Sequence, residues 1–168
     1  MKQNLIDGRT LINKFEECET QNTWSGTSME KYASLGAKQR GSFAEKVITE
    51  TLREMGYEIN DPENYGHDFI MDGRKTELKF CLATSRNTNW RTIFNHIGLK
   101  KDWDQIILGC VNGDCSVRLV LFSKDNLPIL LMTHQQGGKN SDNDDYMISG
   151  KSAREVLFHQ DAEVIIGE

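Results

Sequence analysis

Apolar positions along the chain follow two periods. Between residues 9 and 19 (RTLINKFEECE), Leu11, Ile12 and Phe15 stand at helical spacing and predict a short amphipathic helix that packs on the core or on a partner subunit. The polar run QNTWSGTS, with Thr27 or Ser28 as N-cap, separates it from a second short helix over Met29 to Leu35. Trp24 in that run reads as a packing anchor or as a platform for a base. The strongest stripe, Phe43, Val47, Ile48, Leu52 and Met55, predicts a helix from about Gln39 to Met55, capped by Ser42 and closed by Gly56. Glu45 lies off that stripe, on a solvated face or in a site.

The second period is that of strands. Tyr57 to Asn60 reads as a short strand, and residues 61–66 as a loop. Asp68 then heads an alternating segment, Gly73 supplies a turn, and Thr76 to Leu82 completes a hairpin. Trp90, Phe94 and Ile97 give helical periodicity between Trp90 and Ile97. Asp104 to Val111 is almost continuously apolar, as a central strand covered on both faces requires. With Ser116 to Ser123 it predicts a second hairpin, whose two-residue Asn-Gly turn would set Cys110 directly across from Cys115. Leu127 to Met132 reads as a buried segment, helix or strand, although Pro128 argues against a central strand. A last helix over Ala153 to Phe158 and an edge strand over Ala162 to Ile166 close the series. Helices, hairpins and strands in this order give an α/β sandwich with a mixed sheet.

Composition narrows the class. At 168 residues, 38% hydrophobic with two prolines, residues 1–168 fit one globular domain. MKQNLIDGRT lacks the apolar run of a signal peptide and no stretch reaches membrane-spanning length, so a cytoplasmic protein with no membrane partner is expected. Four cysteines without metal-type spacing fit reduced thiols. The net charge of −5 argues against a protein that simply coats nucleic acid. Yet Arg74, Lys75, Lys79, Arg86, Arg91, Lys100 and Lys101 face the single acid Glu77 within residues 74–101, while the acids gather elsewhere, at Asp142, Asp144, Asp145 and the C-terminal tail. A basic cleft on an otherwise acidic surface is the implication.

The chemistry concentrates in YGHDFIMDGRKTELKFC, Tyr65 to Cys81. Side chains two apart share a strand face, so Glu77 and Lys79 point one way and Leu78 and Phe80 into the opposite, apolar layer. Two carboxylates and a lysine then converge on one spot. Mg²⁺ keeps several waters, so one Asp, one Glu and a backbone carbonyl suffice to hold it, and a neighbouring lysine can orient the attacking water or take its proton.

This constellation resembles the PD-(D/E)XK nuclease superfamily over roughly residues 38–111. Asp68, Glu77 and Lys79 take the places of its two acids and lysine, His67 stands where its proline is usual, and Glu45 matches the helix acid that many members place beside the metal. The opening helix KQRGSFAEKVITETLREMGYEI is also similar to that of archaeal Holliday-junction resolvases.

The resemblance implies a restriction-endonuclease-like mixed β-sheet flanked by helices: N-terminal helices at 9–35, a catalytic core at 38–123, and a recognition or C-terminal region at 124–168. It implies a Mg²⁺-dependent DNA endonuclease of the type II restriction kind, with Mn²⁺ as substitute and a homodimer acting on double-stranded DNA. Asp68, Glu77 and the Leu78 carbonyl would hold the metal, Glu45 would assist, and Lys79 would serve the water. Lys38, Gln39 and Arg40 at a helix start are candidate phosphate contacts. Arg86, Asn87, Asn89 and Arg91, and the loop donors His134, Gln135, Gln136, Lys139, Asn140 and Ser141, are candidate DNA readers or ordinary polar connections. A junction resolvase and a catalytically idle DNA-binding module are the alternatives.

Overall fold

The computed structural model describes residues 23–87, 89–134 and 144–167. Among the described residues two helices come first, α1 (Glu30–Ala33) and α2 (Ala37–Glu54). Nine strands follow among the described residues: β1 (Ile59–Asn60), β2 (Phe69–Met71), β3 (Arg74–Leu82), β4 (Thr92–Ile97), β5 (Gln105–Val111), β6 (Val117–Ser123), β7 (Thr133–His134), β8 (Tyr146–Ser149) and β9 (Glu163–Ile166). A third helix, α3 (Gly150–Leu157), lies between β8 and β9. The helix expected at residues 9–19 lies outside the described residues.

The main sheet runs β1-β2-β3-β5-β6-β9, antiparallel except for the parallel pair β3 and β5, and is therefore mixed. All seven residues of β5 are buried, because both faces of the sheet are covered. Ile106, Leu108 and Cys110 join one cluster with Trp90, Phe94, Trp103 and Ile148, under a small second sheet, β4-β8-β7, and α3. Ile107 joins the other cluster with Ile48 and Leu52 of α2, Leu78 and Leu119. The chain is thus α/β, a mixed sheet flanked by helices, as the element order implies.

Asp72 (φ 49°) and Gly73 (φ 76°) both take the left-handed backbone that a tight two-residue hairpin turn needs, so β2 and β3 pair as the expected hairpin, with Phe69 opposite Thr76.

Several expectations change. Residues 90–97 hold the strand β4 and no helix. The β5–β6 connection spans 112–116, with Val111 opposite Val117; Cys110 therefore lies across from Arg118, and its register neighbour on β3 is Cys81, not Cys115. Leu127 is buried, but Ile129–Leu131 form a single 3₁₀ turn on which Leu130 is fully exposed, so 127–132 is no buried segment. The N-cap of α2 is Gly36, whose N–H donates to the Gln39 side chain (3.2 Å); Ser42 lies inside the helix. Its buried stripe is Ala44, Ile48, Thr49 and Leu52, while Phe43, Val47 and Met55 remain exposed. Trp24 is a packing anchor, 4% exposed, with its indole N–H on the Ala83 carbonyl (3.2 Å).

Candidate active site

The site forms where β2 stops accompanying β3. The last ladder pair is Phe69 with Thr76; one residue on, the Asp68 N–H donates to the Thr76 carbonyl (3.0 Å). The next donor along that edge, the Leu78 N–H, has no strand beside it and donates instead to Asp68 Oδ2 (2.7 Å). A residue's N–H and C=O leave an antiparallel edge on the same side, so the Leu78 carbonyl faces that gap too. Beyond it β4 comes alongside: the Thr92 hydroxyl donates to the Leu82 carbonyl (3.2 Å), and the Thr84 N–H to the Arg91 carbonyl (2.7 Å). The interval between them is an open notch in the edge of β3.

Two carboxylates, Asp68 and Glu45, line this notch, and a third, Glu77, lies near enough for its charge to act on Asp68. Asp68 lies at the edge. Glu77, beside Ile106, points to the face of the main sheet that carries the second sheet, and Glu45 approaches from α2 on the other face. Burial raises the Asp68 carboxyl above its ordinary range, and the Glu77 charge adds to it, against the Leu78 N–H, Lys79 and Lys101. Glu45 is likewise raised, by burial and then by Asp68. Asp68 is thus the common neighbour. Among the described residues no three His, Cys, Asp or Glu side chains form a metal-holding cluster by themselves. The single point of convergence expected from the hairpin is, in the folded chain, an edge with acids on either side.

Glu77 is the most enclosed of the three, its side chain 3% exposed. Lys79 Nζ lies 2.6 Å from Glu77 Oε1 and Lys101 Nζ 3.6 Å from the same oxygen. Lys101 arrives from the turn after β4, and nothing local in the sequence pairs it with Glu77. Asp68, Glu45, the backbone around Leu78 and Lys79 line an open pocket of about 190 Å³. That pocket shares Gly41, Leu78, Lys79 and Phe80 with a cleft of about 460 Å³ running on toward β4. Hard oxygens of unlike exposure, with repulsion that a cation would relieve, form a donor set of the kind Mg²⁺ takes, provided water completes the shell.

His67, at the position before Asp68, is structural. It is buried, accepts the Glu63 N–H at Nε2 (3.2 Å) and so carries its proton on Nδ1, 3.0 Å from the Asp102 carbonyl. It ties the loop before Asp68 to the turn that carries Lys101.

The candidate DNA contacts divide. Arg40 lines the cleft; Lys38 is exposed at the start of α2, and Gln39 is engaged in capping. Arg86 donates to the Gly113 carbonyl (3.2 Å), and Asn87 Oδ1 accepts from Ser85 and from the Asn89 N–H, so these residues shape a loop beyond the C-terminal end of β3. Arg91 is exposed. His134 stacks near Tyr146, ring centroids 4.3 Å apart, while Gln135, Gln136, Lys139, Asn140 and Ser141 lie outside the described residues.

The charge segregation is weaker than the linear sequence suggests. Asp144 Oδ2 accepts the Lys100 N–H (2.7 Å), Asp145 meets His96 (3.0 Å), and Lys75 pairs with Asp102 (2.8 Å) and Glu63 (3.5 Å). Folding returns acids to the basic stretch.

No helix among the described residues is long and apolar enough to cross a membrane. No family model matches the chain, and no curated protein matches it. Among solved structures, the bacterial homing endonuclease I-Ssp6803I is similar over 80% of this chain and 80% of its own, at 10% identity and a TM-score of 0.40.

Proposed function

We propose that the chain is a Mg²⁺-dependent DNA endonuclease that hydrolyses phosphodiester bonds in duplex DNA at a specific sequence, in the manner of a type II restriction enzyme, and acts as a homodimer. The observation that carries this reading is the notch itself. Carboxylates that repel one another are gathered with a lysine at an interrupted strand edge, and the pocket there opens into a longer cleft. Structural ion pairs do not need a like-charged neighbour at Asp68; a site that takes a cation does.

Asp68, Glu77 and the Leu78 carbonyl would hold the ion, with Glu45 assisting from the α2 side. Once bound, Mg²⁺ supplies positive charge to the phosphate and makes the attacking water more acidic. Lys79 does two things in this scheme: it neutralises Glu77 and presents an ammonium at the pocket wall, where it orients the water. Arg40 stands along the adjoining cleft, placed to meet a backbone phosphate.

The test is cleavage of plasmid DNA with Mg²⁺ or Mn²⁺ against a chelated control. Asp68→Asn and Glu77→Ala should abolish cutting, each removing an oxygen charge, while DNA binding survives in part. An unchanged rate in either variant would end the assignment. A four-way junction offered alongside linear duplex decides between restriction and junction resolution. DNA binding by a wild-type protein that never cuts would instead identify an idle binding module.

A further inference from the structure

The cleft beside the notch has an asymmetric lining. One wall is the start of α2, with Arg40 and Gly41; the floor is β3 from Leu78 to Leu82; the other wall is β4, with Ile93, Asn95 and His96. Among the described residues no carboxylate lines it, although the chain as a whole carries a net charge of −5. Alternation along β4 turns Thr92 and Phe94 into the core and Ile93 and Asn95 outward into the cleft. Ser149 of β8 is the register partner of Ile93 and shares that outward face, as does Met147 two residues earlier. The opposite face of this ribbon, Phe94 and Ile148, is fully buried beneath α3, so the ribbon is rigidly backed.

Two features of the outward face call for a ligand. Among the described residues the Asn95 amide has no protein hydrogen-bond partner, in contrast to Asn87, whose amide oxygen is spent on its own turn. Ile93 is 42% exposed, on the same wall of the cleft as Asn95 and opposite Arg40. A free carboxamide next to an exposed β-branched side chain suits an A·T base pair seen from the major groove: the amide matches the donor and acceptor of adenine, and the apolar side chain meets the methyl group of thymine. The dimensions agree. Two strands about 4.8 Å apart, with their side chains, occupy a major groove about 12 Å wide.

Resting on the nuclease reading above, we infer that the outward face of the β4–β8 ribbon enters the major groove beside the scissile phosphate, and that Asn95 with Ile93 reads an A·T pair there. Arg40, on the opposite wall, then meets the backbone of the strand being cut. The recognition function expected of the loop after His134 is thereby moved, at least for this base pair, to the strand nearest the acids.

Selection of duplexes from a randomised pool, in Ca²⁺ and with the Asp68→Asn protein, reads binding without cutting, so its failure is distinct from failure of the cleavage test. The wild-type ribbon should enrich a sequence containing a required A·T pair, and Asn95→Ala should lower the preference at that pair by about 5- to 150-fold, the worth of one bidentate base contact. Ile93→Ala should weaken it less and relax discrimination of thymine from uracil at the same place. Lys151→Ala, on the exposed side of α3, should leave the enriched sequence unchanged. An identical enriched sequence with Asn95→Ala overturns the inference, and so does absence of enrichment in the parent. Because Asn95 is exposed, unfolding offers no excuse; melting curves of each variant check this.

Discussion

Replacing Lys79 by alanine should weaken the fold as well as the chemistry, and the structure says by how much. The Glu77 side chain is 3% exposed and lies 2.6 Å from Lys79 Nζ and 3.6 Å from Lys101 Nζ. Removing one partner of a buried ion pair costs about 3–5 kcal/mol, because the remaining charge has lost water and partner together. Here Lys101 stays, and Lys79 is itself a fifth exposed, so the pair is less than fully buried and about 2–3 kcal/mol is the expected loss. For a chain of this length each kcal/mol moves the midpoint by about 2–4 °C, so Lys79→Ala should melt about 4–12 °C lower. The double variant Glu77→Gln with Lys79→Ala should regain most of this, since no charge is then stranded. Thermal and urea unfolding followed by circular dichroism in a chelating buffer measures both. A single variant within a degree of wild type, or a double variant no better than the single, would refute the reasoning. Cleavage assayed well below both midpoints should still fall by about 10²-fold or more, the part that belongs to the water.

Other substitutions probe the surroundings. Asp68 is held above the ordinary carboxylate range, so its ionised form is the costly one in the folded chain. Metal-free stability should therefore fall as pH rises from the ordinary carboxylate range through the raised value; Asp68→Asn should raise the melting point at pH 8 and lose that advantage in acid, where both forms are neutral. Gly109→Ala would place a Cβ 2.6 Å from the Phe80 ring and 3.2 Å from Leu119, an overpacking of about 1–3 kcal/mol in urea unfolding that also shifts Phe80 behind the pocket. His67→Ala deprives the Glu63 N–H and the Asp102 carbonyl of their shared partner; it should cost about 1–3 kcal/mol and lower cleavage by loosening the turn that carries Lys101.

The sequence was most legible where one local rule acted alone. Alternation with Asp72-Gly73 gives the hairpin, and an unbroken apolar run gives β5, covered on both faces. β4 was misread for a physical reason: the ladder shifts between Phe94 and Ile97, with His96 at φ 58°, so the inward residues fall at 92, 94 and 97. Together with Trp90, that spacing imitates a helix. Cys115, also left-handed at φ 70°, helps close a loop longer than the Asn-Gly pair predicts. Asp68, Glu77 and Lys79 could be picked out as one strand's chemistry, and Glu45 as an acid off its helix stripe. Lys101 could not: its nearness to Glu77 exists only once the turn at 98–103 folds back through the His67–Asp102 bond.

The single parallel pairing of β3 with β5 also orders events in time. Asp68 meets the Leu78 N–H within a hairpin, at short range along the chain. Glu77 meets Ile106 and Lys101 only after residues 83–104 have looped over and β5 has docked, a slow and non-local step. Until then Glu77 stays hydrated, and the repulsion among the acids is scarcely felt. The electrostatic cost of assembling the notch is therefore expected to fall late, on the native side of the folding barrier. Relieving it with Asp68→Asn should leave the refolding rate almost unchanged and appear as slower unfolding, so that a site built for a cation sets how long the empty protein survives.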